Sequence, residues 1–144
     1  MIPFFDDRVA DWVARHIEGC ERGFGPSRAL GVLHSGNLVA GLVFHNWEPE
    51  HGLIEISAAA THRGWMTRKT ISTALEYVFD GLKCQAVVAR HAEGNAPARR
   101  IWQALGAEEH IIPRLRGRDK AGCLAILTDD AWKLSRFNEK VTHG

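Results

Sequence analysis

Ala60-Thr61-His62-Arg63-Gly64-Trp65-Met66-Thr67-Arg68-Lys69 leaves a strand and opens a helix. Upstream, Leu53 to Thr61 reads as a strand, with Glu55, Ser57 and Ala59 on one face by period-two counting. Downstream, Ile71, Leu75, Val78, Phe79 and Leu82 follow helical spacing, and Gly81 weakens the end of that helix. The backbone N–H groups at a helix start have no intrahelical partner, and the helix dipole places about half a positive charge there. A loop curling into such an end cradles an anion of the size of a pyrophosphate. Arg63, Arg68 and Lys69 add charge around it. An ordinary strand-to-helix turn with solvated cations is the other reading these residues allow.

Working outward, Asp6 or Asp7 is positioned to cap a first helix carrying Val9, Trp12, Val13, His16 and Ile17, which Gly19, Gly23, Gly25 and Pro26 end. Arg28 to His34 and Leu38 to Trp47 read as strands joined by a hairpin turn at Ser35-Gly36-Asn37. Beyond the second helix, Cys84 to Arg90 is a short apolar strand. Asn95 caps a third helix, in which Ala98, Ile101, Trp102 and Leu105 form the buried stripe and which Gly106 ends. Glu108 to Leu115 and Cys123 to Thr128 are two more strands, joined by the basic loop 116–122. A short helix or turn over 129–134 precedes a polar tail, about 135–144, expected to fray. This order predicts an α+β or mixed α/β domain with one central sheet, in which the strands around 53 and 90 form a parallel crossover.

The bulk properties set bounds. The 144 residues suit one domain, with 45% hydrophobic and 24% charged residues. No apolar run is long enough to span a membrane, and the N-terminus lacks signal-peptide patterning, so a cytoplasmic protein is expected. Cys20, Cys84 and Cys123 are too few and too dispersed for a disulfide framework or a metal knuckle. Cys84 and Cys123 are expected in the core. His45, His51 and His62 show no metal-ligand spacing, so no metal is expected. A net charge of +1 disfavours nucleic acid as a partner, despite the cluster Arg114, Arg116, Arg118 and Lys120.

Arg63-Gly64-Trp65-Met66-Thr67-Arg68 falls where members of the GNAT superfamily of N-acetyltransferases carry an (Arg/Gln)-x-x-Gly-x-(Gly/Ala) loop. Asn95-Ala96-Pro97-Ala98-Arg99-Arg100-Ile101-Trp102-Gln103-Ala104-Leu105-Gly106-Ala107 resembles the superfamily's Asn…Tyr…Leu-Gly-Phe helix, and Ala86-Val87-Val88-Ala89-Arg90 fits the strand between. The likeness covers about residues 30–131 and lies nearest the RimJ/RimL-like branch. It implies a single domain with a mixed, mostly antiparallel sheet flanked by helices, and acetyl-CoA as cosubstrate without a metal. It also implies that the strands at 53–61 and 84–90 splay apart around the pantetheine. Arg63, Gly64, Trp65, Met66, Thr67, Arg68 and Lys69 then surround the pyrophosphate, and Asn95 lies near the pantetheine or adenine end. The chain departs from the pattern at Met66 and Arg68, which occupy small-residue positions, and at Trp102, which stands where many members place a proton-donating tyrosine. A CoA thiol with a pKa near that of cysteine, about 8.5, leaves tolerably without that donor.

The implied reaction is acetyl transfer to a primary amine by direct attack on the thioester. An amine with a pKa of about 10.4 must first lose a proton. Glu55, inside the apolar run Ile54-Glu55-Ile56, is the leading base, since burial would favour its neutral form and suit it to take a proton. The alternating strand equally allows it to face solvent. Glu48, Glu50, His45, His51 and His62 are weaker candidates, and Trp47 and Trp65 border the substrate side. A non-catalytic acyl-CoA-binding sensor is the alternative function. A homodimer through an edge strand is compatible with the fold.

Overall fold

The computed structural model describes residues 1–20 and 22–138. Its frame is a seven-stranded sheet in the order β1-β2-β3-β4-β5-β7-β6. The strands are β1 (Ile2–Phe5), β2 (Ser27–His34), β3 (Asn37–Glu48), β4 (Leu53–Ala60), β5 (Ala86–Ala92), β6 (Glu108–Gly117) and β7 (Lys120–Thr128). Every neighbouring pair is antiparallel except β4 and β5. The helices are α1 (Val9–His16), α2 (Arg68–Glu76), α3 (Ala96–Leu105) and α4 (Asp129–Leu134). The expected mixed sheet flanked by helices is therefore present, with the crossover through α2 joining the parallel pair.

Period-two alternation sorts side chains to the two faces. Register places Leu30 opposite Leu42, Phe44 opposite Ile56, and Ile54, Val87 and Leu127 in one row across β4, β5 and β7. This face forms the main core with Ile71, Leu75 and Val78 of the second helical segment, Leu105 of α3 and Trp132 of α4. The opposite face of β2 and β3 buries Ala29 and Val43 against Val9 and Val13 of α1. Contact there is close because Gly41 lacks a side chain. A Cβ at that position would lie 2.6 Å from methyl groups of both Val9 and Val13.

Local signals and structure agree at several ends. Ser35 and Gly36 both take positive φ, as a two-residue hairpin requires. Asn95 caps α3 by accepting from Ala98 N–H, and Gly106 closes it at φ 94°. Cys84 and Cys123 are buried. Gly81 does not simply end a helix, because α2 widens into a π-helical turn over Tyr77–Gly81.

Other expectations are corrected. Neither Asp6 nor Asp7 caps α1, whose N-cap is Arg8 without a side-chain cap. Asp6 instead pairs with Arg8, and Asp7 accepts from Arg28 and from the backbone of Ala29. The first residues add a strand, β1, that composition did not announce; β2 supplies its partner. Of the polar tail, Ser135 and Asn138 are buried, and Asn138 Nδ2 donates to Trp132 O at 3.2 Å. Residues 139–144 of that tail lie outside the described residues.

Candidate functional site

β4 and β5 form a fork. They pair only at Leu53–Ala86, Ile54–Val87 and Glu55–Val88, although β4 continues to Ala60 and β5 to Ala92. The outer edge of β4 stays bonded to β3 as far as Ala60, and that of β5 to β7 as far as Ala92. The two inner edges beyond Glu55 and Val88 therefore carry backbone groups without a sheet partner, facing a groove of about 530 Å³. Small side chains keep it open, with Ala58, Ala59, Ala60, Ala89, Ala92 and Ala98 all in its wall. An extended chain carrying amide groups is the natural complement of two free strand edges.

The mouth of the fork meets the head of α2. Thr67 is the N-cap; its Oγ1 accepts from Thr70 N–H at 3.2 Å, and its carbonyl accepts from Ile71 N–H. The N–H groups of Arg68 and Lys69 are thereby left without intrahelical acceptors. The Thr67 N–H is spent internally on Trp65 O, which removes one amide from the expected cradle. Gly64 turns the loop at φ 76°, with open space where a Cβ would sit. A second cavity of about 680 Å³ lies here, bounded by Arg63, Gly64, Trp65 and Met66 on the loop and by Pro97 and Arg100 on α3.

The two large residues at small-residue positions do not fill the loop. Met66 packs against the main core. Arg68 turns toward the C-terminal segment, where its Nη1 donates to Arg136 O at 2.7 Å and its guanidinium covers the Phe137 ring. Arg68 and Lys69 are absent from the cavity wall, whereas Arg100 is part of it. Sequence reasoning missed Arg100, although Pro97, Arg100 and Ala104 form a stripe at helical spacing along α3. Asn95 lines the groove with its oxygen committed to the helix cap.

Glu55 occupies the vertex of the fork. It is buried, 8% exposed, rather than solvent-facing. Its Oε1 accepts from Asn46 Nδ2 at 3.0 Å and from Arg90 Nη2 at 3.3 Å, and its Oε2 accepts from Arg90 Nε at 3.2 Å. Asn46 reaches it from an irregularity in β3, where the pairing slips between His45 and Glu48 and Asn46 takes φ 51°. A bulge beside a reactive group re-aims one side chain, here the amide of Asn46. His45, directly across the ladder from Glu55, sits 4.0 Å from Oε2, with its Nε2 2.8 Å from Ser57 Oγ. Burial holds the His45 imidazole below its ordinary pKa, opposed by Glu55 and aided by Arg90.

The remaining candidates are dispersed. His51 bonds Glu48 at the exposed turn, and His62 bonds the Arg63 carbonyl and lies against the His34 ring. Trp47 is exposed beside a separate depression, which Glu55 borders without entering the groove wall, and Trp65 stands at the junction of the two larger cavities. Trp102 lines the groove. Tyr77, the single tyrosine, packs between Phe5 and Phe44, away from the groove wall. Among the described residues no helix is long and apolar enough to cross a membrane.

No family model and no curated protein matches the chain in sequence. Solved structures do match in fold. A SpeG spermidine N-acetyltransferase chimera from Vibrio cholerae and hSSAT superposes with a TM-score of 0.70 at 16% identity, covering 92% of this chain and 99% of that one. A SpeG variant from Vibrio cholerae gives 0.65 at 19% identity, covering 88% and 76%. A GCN5-related N-acetyltransferase from Brucella melitensis gives 0.60 at 21% identity, covering 74% of this chain. The chain spans 53% of the length of the Brucella structure, and 62% and 64% of two further acetyltransferase structures. The forked, mostly antiparallel sheet with helices on its faces is the fold of the GCN5-related acetyltransferases.

Proposed function

We propose that this chain is an acetyl-CoA-dependent N-acetyltransferase that transfers an acetyl group to a primary amine. The observation that carries the reading is the fork, with its free strand edges running from Glu55 to the unpaired N–H groups at the head of α2. The free edges of β4 and β5 would bond the amides of the pantetheine arm. The loop from Arg63 to Lys69 would hold the pyrophosphate with its backbone, aided by the side chains of Arg63 and Arg100. Asn95 would stand beside the pantetheine arm. Bound acetyl-CoA supplies a thioester open to attack by a neutral amine, and N–H groups of the free strand edge would polarise its carbonyl.

Glu55 is the proposed base. Its two oxygens already accept three hydrogen bonds, but Arg90 is half-exposed and free to swing toward water as the amine proton arrives. Asn46 holds the carboxylate in place, with the His45 ring beside it. Trp102 offers no acid, so the thiolate would depart on its own low basicity. The same absence of a phenol from the groove supports the second reading, a sensor that binds acyl-CoA without turning it over. The likeness to the RimJ/RimL-like branch, a cytoplasmic location and a homodimer through the β1 edge belong to the same proposal. Ile2 and Phe5 are exposed on that edge.

A free-thiol release assay with acetyl-CoA and a panel of amines tests the enzyme reading. The panel should include spermidine, the substrate named for the SpeG neighbours, an α-amino terminus and a lysine side chain. Amine-dependent thiol release supports the enzyme. CoA binding without release supports the sensor. Absence of CoA binding overturns both.

A further inference from the structure

At the far end of the β5 arm, where His91 also lines the groove, β5, β6 and β7 bring together an imidazole, a carboxylate and a thiol. His91 and Cys123 are direct cross-strand partners in the β5–β7 ladder. Glu109 pairs with Ala125, two residues from Cys123 on the same face of β7. Alternation turns this face toward α3, and the donor atoms of the three side chains all lie within 4.8 Å of one another. Cys123 Sγ is 2.9 Å from Glu109 Oε1. Cys123 is fully buried and His91 is 8% exposed.

The cluster contains an unpaired polar atom. Glu109 is well supplied, since Arg99 and Gln103 of α3 both donate to it along with the Cys123 thiol. His91 Nε2 is buried and has no hydrogen-bond partner. Buried polar groups are nearly always paired, and an orphaned one calls for an explanation. An imidazole nitrogen, a cysteine sulfur and a carboxylate oxygen within 4.8 Å of one another suit a borderline-soft divalent ion and are a poor fit for magnesium or calcium.

We infer that His91 Nε2, Cys123 Sγ and Glu109 form a structural site for a zinc-class divalent cation, clipping β5, β6 and β7 together beneath α3. Ion binding displaces the Cys123 thiol proton to solvent, converting the S–H donor to Glu109 into a metal-bound thiolate. Bond lengths of about 2.0–2.3 Å from ion to donor put tetrahedral donors roughly 3.3–3.8 Å apart, so the most distant pair, no more than 4.8 Å apart, closes in by about 1 Å while Cys123 Sγ and Glu109 Oε1 open from 2.9 Å. Arg99 and Gln103 keep the Glu109 carboxylate oriented, as outer partners of metal ligands do. The Arg99 charge disfavours a cation, whereas the thiolate and carboxylate together offer two negative charges. The site adjoins the groove through His91, but it is argued from the three side chains and holds whether or not the groove takes acetyl-CoA. Its ligands come from three strands, which is why no spacing in the sequence announces it.

The test is a titration of untagged, chelator-treated full-length protein with cobalt(II). One equivalent should bind, with a sulfur-to-cobalt charge-transfer band in the near ultraviolet, and zinc should displace it. The band should persist in the Cys20→Ser/Cys84→Ala double variant, which keeps only Cys123, and vanish in Cys123→Ser. A parallel titration of unmodified protein with zinc should raise its melting temperature. Absence of the band and of the zinc shift in the unmodified protein would overturn the site, even if a variant failed to fold. A band that survived Cys123→Ser would do the same.

Discussion

Glu55→Gln separates a structural role for the vertex carboxylate from a chemical one. The amide keeps the shape of Glu55 and retains an oxygen for Asn46 and for one N–H of Arg90. It loses the charge and sets an NH₂ donor against the other Arg90 N–H. The Glu55 side chain is 10% exposed but that of Arg90 is 51% exposed, so the released guanidinium group can rehydrate. The stability cost should therefore be about 1–2 kcal/mol, well below the roughly 3–5 kcal/mol of breaking a fully buried pair. For a domain of this size that is a fall in Tm of roughly 3–7 °C. Acetyl-CoA affinity should stay within a few-fold, because Glu55 is not in the groove wall and reaches it only through Arg90. Turnover with the best amine should fall by about 10²–10⁴-fold, the usual contribution of a positioned base. Thermal melts, CoA titration and initial rates on the same preparation check the three numbers together. Full turnover in the variant would refute Glu55 as base. A Tm fall well beyond that range would refute the claim that Arg90 is free to rehydrate.

Acetyl-CoA at about 100 times its Kd should stabilise the fold by about 2.7 kcal/mol, with dephospho-CoA as comparison; no shift at millimolar ligand would sink the groove assignment. Arg100→Ala and Arg63→Ala should weaken CoA binding more than Arg68→Ala does. Arg68→Ala should instead lower Tm by loss of the bond to Arg136 O, and the reverse order would show that the Arg68 guanidinium turns back to the loop. Gly41→Ala should destabilise by about 1–3 kcal/mol in urea titration, because the new methyl overlaps Val9 and Val13, and a neutral outcome would mean that α1 shifts freely. Stability should fall as pH drops below about 6.5. The folded His45 resists protonation, so the unfolded chain binds more protons there; His45→Gln should flatten that part of the urea-midpoint profile, and an unchanged slope would remove His45 as its source.

The elements legible in the sequence are those whose causes are local. Helix α3 runs from an asparagine whose side chain reaches three residues ahead to a glycine that takes a left-handed φ. The turn at Ser35 and Gly36 and the alternation along β4 are likewise set by neighbours in the chain. The likeness of two short stretches to a known pattern then led to the forked sheet, which the structure bears out at the strands concerned.

Pairings between distant residues were not legible. Only the tertiary structure decided that Glu55 meets Asn46 and Arg90, and that Arg68 leaves its loop for Arg136, 68 residues away. The same holds for β1, a four-residue segment made a strand by the free edge of β2, and for the convergence of His91, Glu109 and Cys123 from three strands. The physical reason is common to all of them. A side chain's partners depend on strand order and register, and those minimise the free energy of the whole core. Capping and turn preferences satisfied within a few residues are carried by the sequence, as at Asn95 and Gly36, unless a distant partner takes the capping side chain, as Arg28 and Ala29 take Asp7.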